Sequence, residues 1–247
     1  MKVAVITGGS RGLGRSTALQ CAKRGVGVIF TYNTHRPGAE QLLQEIGALG
    51  GKAEALKLNL GDVSSFPDFR HQVSNALQTT WGRKDFDYLV NNAGYGLYAP
   101  IRSVTEAQFD GLFGVHLKGP FFLTQTLLAL MTDGGHVVNL TSATTRVATA
   151  GVAPYAAFKG GLEVLTRYMA KEFGHRGIRA NAVSPGAIRT DLGGGLTDDF
   201  EALLASQTAL GRVGEPDDVG AVIASLLSDD NRWINAQTIE VAGGYMI

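Results

Sequence analysis

The sequence has no second cysteine, so Cys21 cannot form an internal disulfide, and its place in a helical stretch reads as a small buried hydrophobe rather than a reactive thiol. Net charge is missing as well: 22 Lys and Arg balance 22 Asp and Glu. A balanced chain projects no overall field that would gather nucleic acid or an anionic membrane, which leaves only a local patch for such partners. No nucleic-acid partner and no membrane are expected. Long apolar runs are absent too, because Pro120 to Met131 is short and is interrupted by Thr124, Gln125 and Thr126. The chain opens on strand-like Lys2 to Ile6 without a charged and apolar leader, which together with the lone thiol sets the expectation of a cytoplasmic protein. Internal repeats, low-complexity blocks and linkers are not found.

What is present is a chain of 247 residues, 45% of them hydrophobic, long enough for a sizeable core and short enough for one domain over 1–247. Short apolar, β-branched runs recur at Val3 to Ile6, Val26 to Thr31, Ala53 to Leu58, Tyr88 to Val90, His136 to Leu140, Ile178 to Val183 and Thr238 to Val241. Helical patterns separate them, such as Arg15 to Arg24 before Gly25, and a segment from Thr105 with Gln108 placed to complete a capping box. This alternation predicts an α/β fold, a doubly wound parallel sheet of about seven strands with helices on both faces. Ligands then gather at the carboxyl ends of the strands. The loosest composition, Asp191 to Asp199, reads as a mobile lid ahead of another helix.

Directly after the first strand stands Thr7-Gly-Gly-Ser-Arg-Gly-Leu-Gly14, with Gly8, Gly12 and Gly14 at G-x-x-x-G-x-G spacing. Glycines permit a tight turn and close approach of backbone to a pyrophosphate, and the helix that follows offers unpaired N–H groups to the anion. An ordinary strand-to-helix turn is the plainer alternative. No Asp or Glu precedes Glu40, whereas Lys2, Arg11, Arg15, Lys23, Arg24 and Arg36 all do. An NAD site wants an acidic residue about 20 positions after the glycines. The second strand instead runs into Asn33 and Thr34, whose neutral groups, with Arg11 nearby, suit the 2′-phosphate of NADP(H). Lys23 and Arg24 read as solvated surface.

Downstream, Tyr155 and Lys159 are four residues apart and so share one helical face, a spacing that an ordinary amphipathic surface also produces. Ser142 lies thirteen residues before Tyr155, just after the strand His136 to Leu140. At this point the chain closely resembles the short-chain dehydrogenase/reductase family, in particular its acyl-carrier-protein ketoreductase-like subgroup. The resemblance rests on the glycine turn, Asn91-Asn92-Ala93-Gly94, Ser142, Tyr155-Ala-Ala-Phe-Lys159, Pro185-Gly186-Ala187-Ile188-Arg189-Thr190, and the closing LGRVGEPDDV and IEVAGG.

The resemblance implies a Rossmann-like fold and an NADP(H)-dependent oxidoreductase that interconverts a small-molecule carbonyl and a secondary alcohol. Tyr155 would exchange the proton, Ser142 would polarise the substrate oxygen, and Lys159 would bind the nicotinamide ribose. An ordinary phenol titrates near 10, and a nearby ammonium favours the phenolate. The cofactor would also meet Gly8, Ser10, Arg11, Gly12, Leu13 and Gly14 at the turn, and Asn33, Thr34, Asn59 and Leu60 at the adenine end, where Asn59 is equally readable as a turn cap. Asn92, Ala93, Gly94, Pro185, Gly186, Ile188 and Thr190 would complete its site. No metal is called for.

The same family usually carries Asn where this chain has His116, in Val115-His-Leu-Lys-Gly-Pro-Phe121. Histidine titrates near neutrality, so a proton relay with altered pH dependence is expected, with a satisfied buried histidine as the plain alternative. The helices Glu106 to Met131 and Pro154 to His175, with the C-terminal segment, are expected to build a homotetramer. Alternatives remain a non-catalytic NADP(H)-binding sensor or scaffold and an NAD-dependent alcohol or sugar dehydrogenase. The substrate pocket would be shaped by 95–100, 144–153 and 191–204, with Arg146 or Arg189 as candidate anion contacts.

Overall fold

Successive residues of the first strand feed opposite cores. In a computed structural model describing residues 1–247, Val3 and Val5 of β1 (Val3–Ile6) join one buried cluster, while Ala4 and Ile6 join the other. That division follows from the two-residue side-chain period of a strand. Both faces of the sheet are therefore covered, and β1 is fully buried and continuously apolar.

The sheet has seven strands in the order β3-β2-β1-β4-β5-β6-β7, every neighbouring pair parallel. The other strands are β2 (Gly27–Tyr32), β3 (Ala53–Lys57), β4 (Phe86–Asn91), β5 (Met131–Leu140), β6 (Arg179–Pro185) and β7 (Thr238–Val241). One face is packed by α1 (Gly12–Lys23), α2 (Arg36–Ala48) and α8 (Pro216–Leu226) through Cys21, Leu42 and Ile223. The other is packed by α3 (Phe66–Ala76), α5 (Gly119–Leu127) and α6 (Ala153–Phe173) through Phe69, Leu123 and Met169. Cys21 is buried, and burial pushes its thiol up to about 12, so it is inert at neutral pH.

All seven expected strands form, β1 and β7 with the expected bounds and the others with ends displaced by up to five residues. The expected continuous helix Glu106 to Met131 does not. It is divided into α4 (Glu106–Phe113), a π-helical turn at Gly114–Lys118 and α5, and Met131 already belongs to β5. The Thr105–Gln108 capping box starts α4 as expected. An inserted π turn rotates the side chains that follow it, and such turns concentrate at functional sites. This one carries His116.

Because the strands are parallel, each loop that leaves a strand's carboxyl end emerges on the same edge. Sequence order reverses direction between β1 and β4, which opens a crevice there. Beneath it a buried polar chain fixes the floor: Asn91 Nδ2 donates to Thr124 Oγ1 at 3.1 Å and to Asn139 Oδ1 at 2.8 Å, and Asn139 Nδ2 donates to Thr166 Oγ1 at 2.9 Å. Helices α5 and α6 are thereby tied to β4 and β5 by side chains with no access to competing water.

Candidate active site

The glycine turn is held from the neighbouring strand by Thr7. Its Oγ1 accepts from the backbone N–H of Asn92 and of Ala93, both at 2.9 Å. In return Asn92 Nδ2 donates to the carbonyls of Thr7 at 2.8 Å and Gly8 at 3.2 Å. Gly8 adopts φ +70°, and a β-carbon there would lie 2.8 Å from Ala93 Cα. One on Gly14 would lie 2.2 Å from the Gly8 carbonyl oxygen, so no larger residue fits. Gly12, at φ +55°, has a different situation: the nearest atom to its missing β-carbon is Thr190 Cγ2, 3.6 Å away. The turn after β1 and the segment after β6 thus face one another across the crevice.

These features fit a dinucleotide. Glycine backbone is bare at the start of α1, that helix has no acidic residue in its first turn, and Arg11 stands exposed at its N-terminus. Among the cations before Glu40, Arg15 pairs with Glu45, Arg36 with Glu40 and Lys2 with Asp87. Asn33 and Thr34 lie exposed just after β2. Ser10 is buried, and its carbonyl lies 2.5 Å from where a β-carbon of Gly38 would stand, so α2 packs directly on the turn. Leu13 is half-buried and packs on the core beside α1.

Other expected contacts are divided between site and scaffold. Asn59 Oδ1 accepts from Gly61 N–H at 3.1 Å, which makes it a turn cap, and the Leu60 side chain is in the core. Pro185 ends β6, Gly186 lies where a β-carbon would meet Ala242 at 2.8 Å, and Ile188 pairs with Gly214. Thr190 remains half-buried on the crevice, its Oγ1 accepting from Leu192 N–H at 3.3 Å.

Ser142, Tyr155 and Lys159 come together where β5 ends and α6 begins. Lys159 is buried, and its Nζ donates to the Leu140 carbonyl at 2.6 Å and lies 5.6 Å from the centre of the Tyr155 ring. Ser142 Oγ accepts from Thr144 N–H at 3.2 Å and from Thr144 Oγ1 at 3.0 Å. With its lone pairs engaged, the Ser142 proton is free to be given away. Thr7 and Thr144 were not singled out from the sequence, although both stand inside quoted segments. A threonine hydroxyl shows no pattern by which a brace can be told from a surface residue.

Burial opposes charge on both members of the pair. It pushes the Tyr155 phenol above its ordinary value, with the adjacent Ser142 hydroxyl pulling the other way, and it lowers Lys159 to about 7. The expectation that a full ammonium lowers the phenol is therefore not met in the protein by itself.

His116 is buried beside them, its ring edge-on to that of Tyr155 with centroids 4.9 Å apart. Its Nε2 lies 2.8 Å from the Tyr95 carbonyl, which fixes the proton on that nitrogen, and its Nδ1 is buried without a partner. Gly94 makes room for the ring, because a β-carbon there would approach His116 Cε1 to 2.7 Å. Burial, reinforced by Lys159, lowers His116 to about 3. This lies well below the near-neutral range expected for the ring, and it favours the neutral imidazole.

No helix is long and apolar enough to cross a membrane. The family model described as enoyl-(acyl carrier protein) reductase matches residues 8–246. An uncharacterized oxidoreductase of Methylorubrum extorquens is 39% identical over 98% of this chain and 97% of its own. A 3-oxoacyl-[acyl-carrier-protein] reductase of Staphylococcus epidermidis is 36% identical over 98% of each. The angucycline C-6 ketoreductase LanV, solved with bound NADP, superposes with a TM-score of 0.94 at 34% identity, covering 99% of this chain and 95% of that one. Fold, site and likeness along nearly the whole length agree, and the chain belongs to the short-chain dehydrogenase/reductase family.

Proposed function

We propose that the protein is an NADP(H)-dependent reductase of a carbonyl compound, with one catalytic domain over 1–247. The observation that carries the reading is the convergence of Ser142, Tyr155 and Lys159 at the carboxyl edge of the sheet, next to a glycine turn that faces Thr190. When bound, NADP(H) would supply the hydride, or accept it in the reverse direction. Gly8, Ser10, Gly12, Leu13 and Gly14 would present the turn to the pyrophosphate; Arg11, Asn33 and Thr34 would receive the 2′-phosphate; Asn59 and the backbone of Leu60 would border the adenine. Ala93, Gly94, Pro185, Gly186, Ile188 and Thr190 border the nicotinamide half, with Asn92 as the brace between strands.

Ser142, its lone pairs occupied by Thr144, donates to the substrate oxygen and polarises the carbonyl without adding charge. Tyr155 then gives its proton to that oxygen. A phenol held high by burial is protonated at neutral pH, as an acid must be. Lys159, anchored on the Leu140 carbonyl, keeps further N–H donors for a ribose hydroxyl, two as the ammonium and one as the free amine. His116 serves as a neutral brace for the Tyr95 backbone, and its unpartnered Nδ1 offers an acceptor for a water on the proton path.

Neither candidate anion contact is free. Arg146 is paired with Glu240, and Arg189 with Glu201 and Glu215. The loop and lid expose Tyr95, Tyr98 and Leu192 instead. An uncharged ketone with an apolar or aromatic body suits these walls, in keeping with the ketoreductase similarity. Apolar Phe109, Phe113, Phe121, Val164 and Tyr168 are exposed on α4, α5 and α6, the surface on which we place the homotetramer contacts. Following NADPH and NADH absorbance with a panel of ketones tests the proposal. Oxidation of NADPH in preference to NADH is expected, and equal or better use of NADH would overturn the cofactor choice.

A further inference from the structure

The turn that carries Ser142 is roped to the end of the chain. Arg146, which follows the 3-10 turn Ala143–Thr145, donates from Nη2 to the Tyr245 carbonyl at 2.7 Å and from Nη1 to the Met246 carbonyl at 2.9 Å. The rest of its guanidinium grips Glu240 of β7, at 2.6 Å from Nη2 and 3.1 Å from Nε. All this places one planar donor group at the junction of catalytic turn, last strand and tail.

The tail in turn holds the foot of the lid. The Met246 N–H donates to the Gln207 carbonyl at 2.8 Å, and the N–H groups of Ala209 and Leu210 donate to Gly244 and Gly243, each at 3.1 Å. Tyr245 is buried in a small cluster with Ala143 and Val147 from the catalytic turn, Leu204 from α7 (Asp198–Ser206) and Val213. The other end of α7 hangs on Gly193, Gly194 and Gly195, three successive left-handed residues at φ +70°, +103° and +86°. Here the lid meets the Tyr95 loop: a β-carbon on Gly96 would stand 3.0 Å from Gly193 N and 3.4 Å from Leu192 Cγ. The lid segment is therefore tied to the tail at its foot, while its glycine tip only packs against the Tyr95 loop.

From this we infer that Arg146 is a positioning residue which, by binding the C-terminal tail, fixes the foot of the lid relative to Ser142 and so sets substrate affinity. The inference rests on the proposed reductase reading. Closure over the substrate requires α7 to pivot about a foot of defined position. A loosened foot lowers the fraction of protein in the closed form, and apparent affinity falls by that fraction. Once closed, the same proton donor and the same dinucleotide turn are in place, so turnover at saturation and NADPH affinity are unaffected.

The test compares wild type with Arg146→Ala, Arg146→Lys and Glu240→Gln, measuring KM and kcat for the best ketone of the panel, the NADPH dissociation constant by fluorescence, and amide hydrogen exchange over 192–206. Arg146→Ala is expected to raise KM on the order of tenfold, to leave kcat and the NADPH constant within twofold, and to speed exchange in the lid. Arg146→Lys, which keeps the charge and part of the grip, is expected to fall between, and Glu240→Gln, which spares both tail carbonyls, to do less than Arg146→Ala. An unchanged KM and exchange rate would overturn the inference. So would a parallel loss of kcat, NADPH affinity and melting temperature, which marks a merely structural residue, or a Glu240→Gln effect equal to that of Arg146→Ala. Exchange reads the strap without turnover; failure of the reductase reading itself shows separately, as wild type binding no NADPH or reducing no ketone.

Discussion

The two halves of the crevice are built on opposite terms. On the dinucleotide side, Thr7, Asn92, Ala93 and the glycines lock one another through short hydrogen bonds and contacts that leave no space for a β-carbon at Gly8 or Gly14. On the substrate side, Tyr98 and Leu192 stand exposed, and β-carbons at Gly193 and Gly194 would meet nothing within 4 Å. A ligand that is the same in every turnover rewards a rigid mould, whereas entry and release of substrate need a segment from the low-stability end of the molecule.

The sharpest way to break that contrast is a pair of alanines. Gly14→Ala drives a methyl into the Gly8 carbonyl, an overpacking that costs roughly 1–3 kcal/mol, and spreads the turn. NADPH binding measured by titration should weaken on the order of a hundredfold. Gly193→Ala meets only backbone strain at φ +70°, about 1 kcal/mol. NADPH affinity should then stay at the wild-type value. Equal losses in both would erase the distinction.

Lys159 shows what the rigid half costs in stability. Its folded value of about 7 lies below the ordinary 10.5, so between those limits the unfolded chain holds a proton that the folded protein resists. Stability contributed at this position therefore rises with pH through that window and is lowest below pH 7. Lys159→Met should raise the melting temperature of the cofactor-free protein near neutrality by about 5 °C, or about 2 kcal/mol for a chain of this size. The gain should shrink toward pH 10.5, and activity should be lost. A gain independent of pH would show that the ammonium is not the source.

His116 and His136 are both lowered to about 3 by burial, against an ordinary 6.5. As pH falls from 6.5 toward 3, the unfolded chain takes up two protons that the folded one refuses, and stability falls by up to about 2.7 kcal/mol per pH unit. His116→Asn should halve that slope in urea melts while changing kcat less than about fivefold. Its activity profile above pH 6.5 should keep the wild-type shape. A new or missing inflection there would make His116 a proton carrier after all.

The strands were legible because a parallel, two-sided sheet demands continuous apolar runs such as Val3 to Ile6; their spatial order was not. The break in the long helix was not, since Gly114 to Lys118 keeps a helical pattern and the π turn answers to packing. The start of β5 was hidden by Gly134 and Gly135, which interrupt the apolar run; Asp133 and Gly134 are exposed there, whereas Gly135 is already buried against β4. Tyr155, Lys159 and Ser142 were readable from spacing and resemblance together. Roles set by burial were not: the neutral state of His116 comes from its burial, reinforced by Lys159, and the cap formed by Asn59 depends on one bond to Gly61. The engagement of Arg146 by the tail joins residues about a hundred positions apart, with no local trace in the sequence.

The central claim is that the Tyr155 hydroxyl delivers the proton to a carbonyl held at Ser142. Its most direct test is Tyr155→Phe, with NADPH oxidation and NADPH affinity measured on the same preparation. A loss of turnover of about a thousandfold with affinity unchanged is predicted. Turnover within a few-fold of wild type would contradict it.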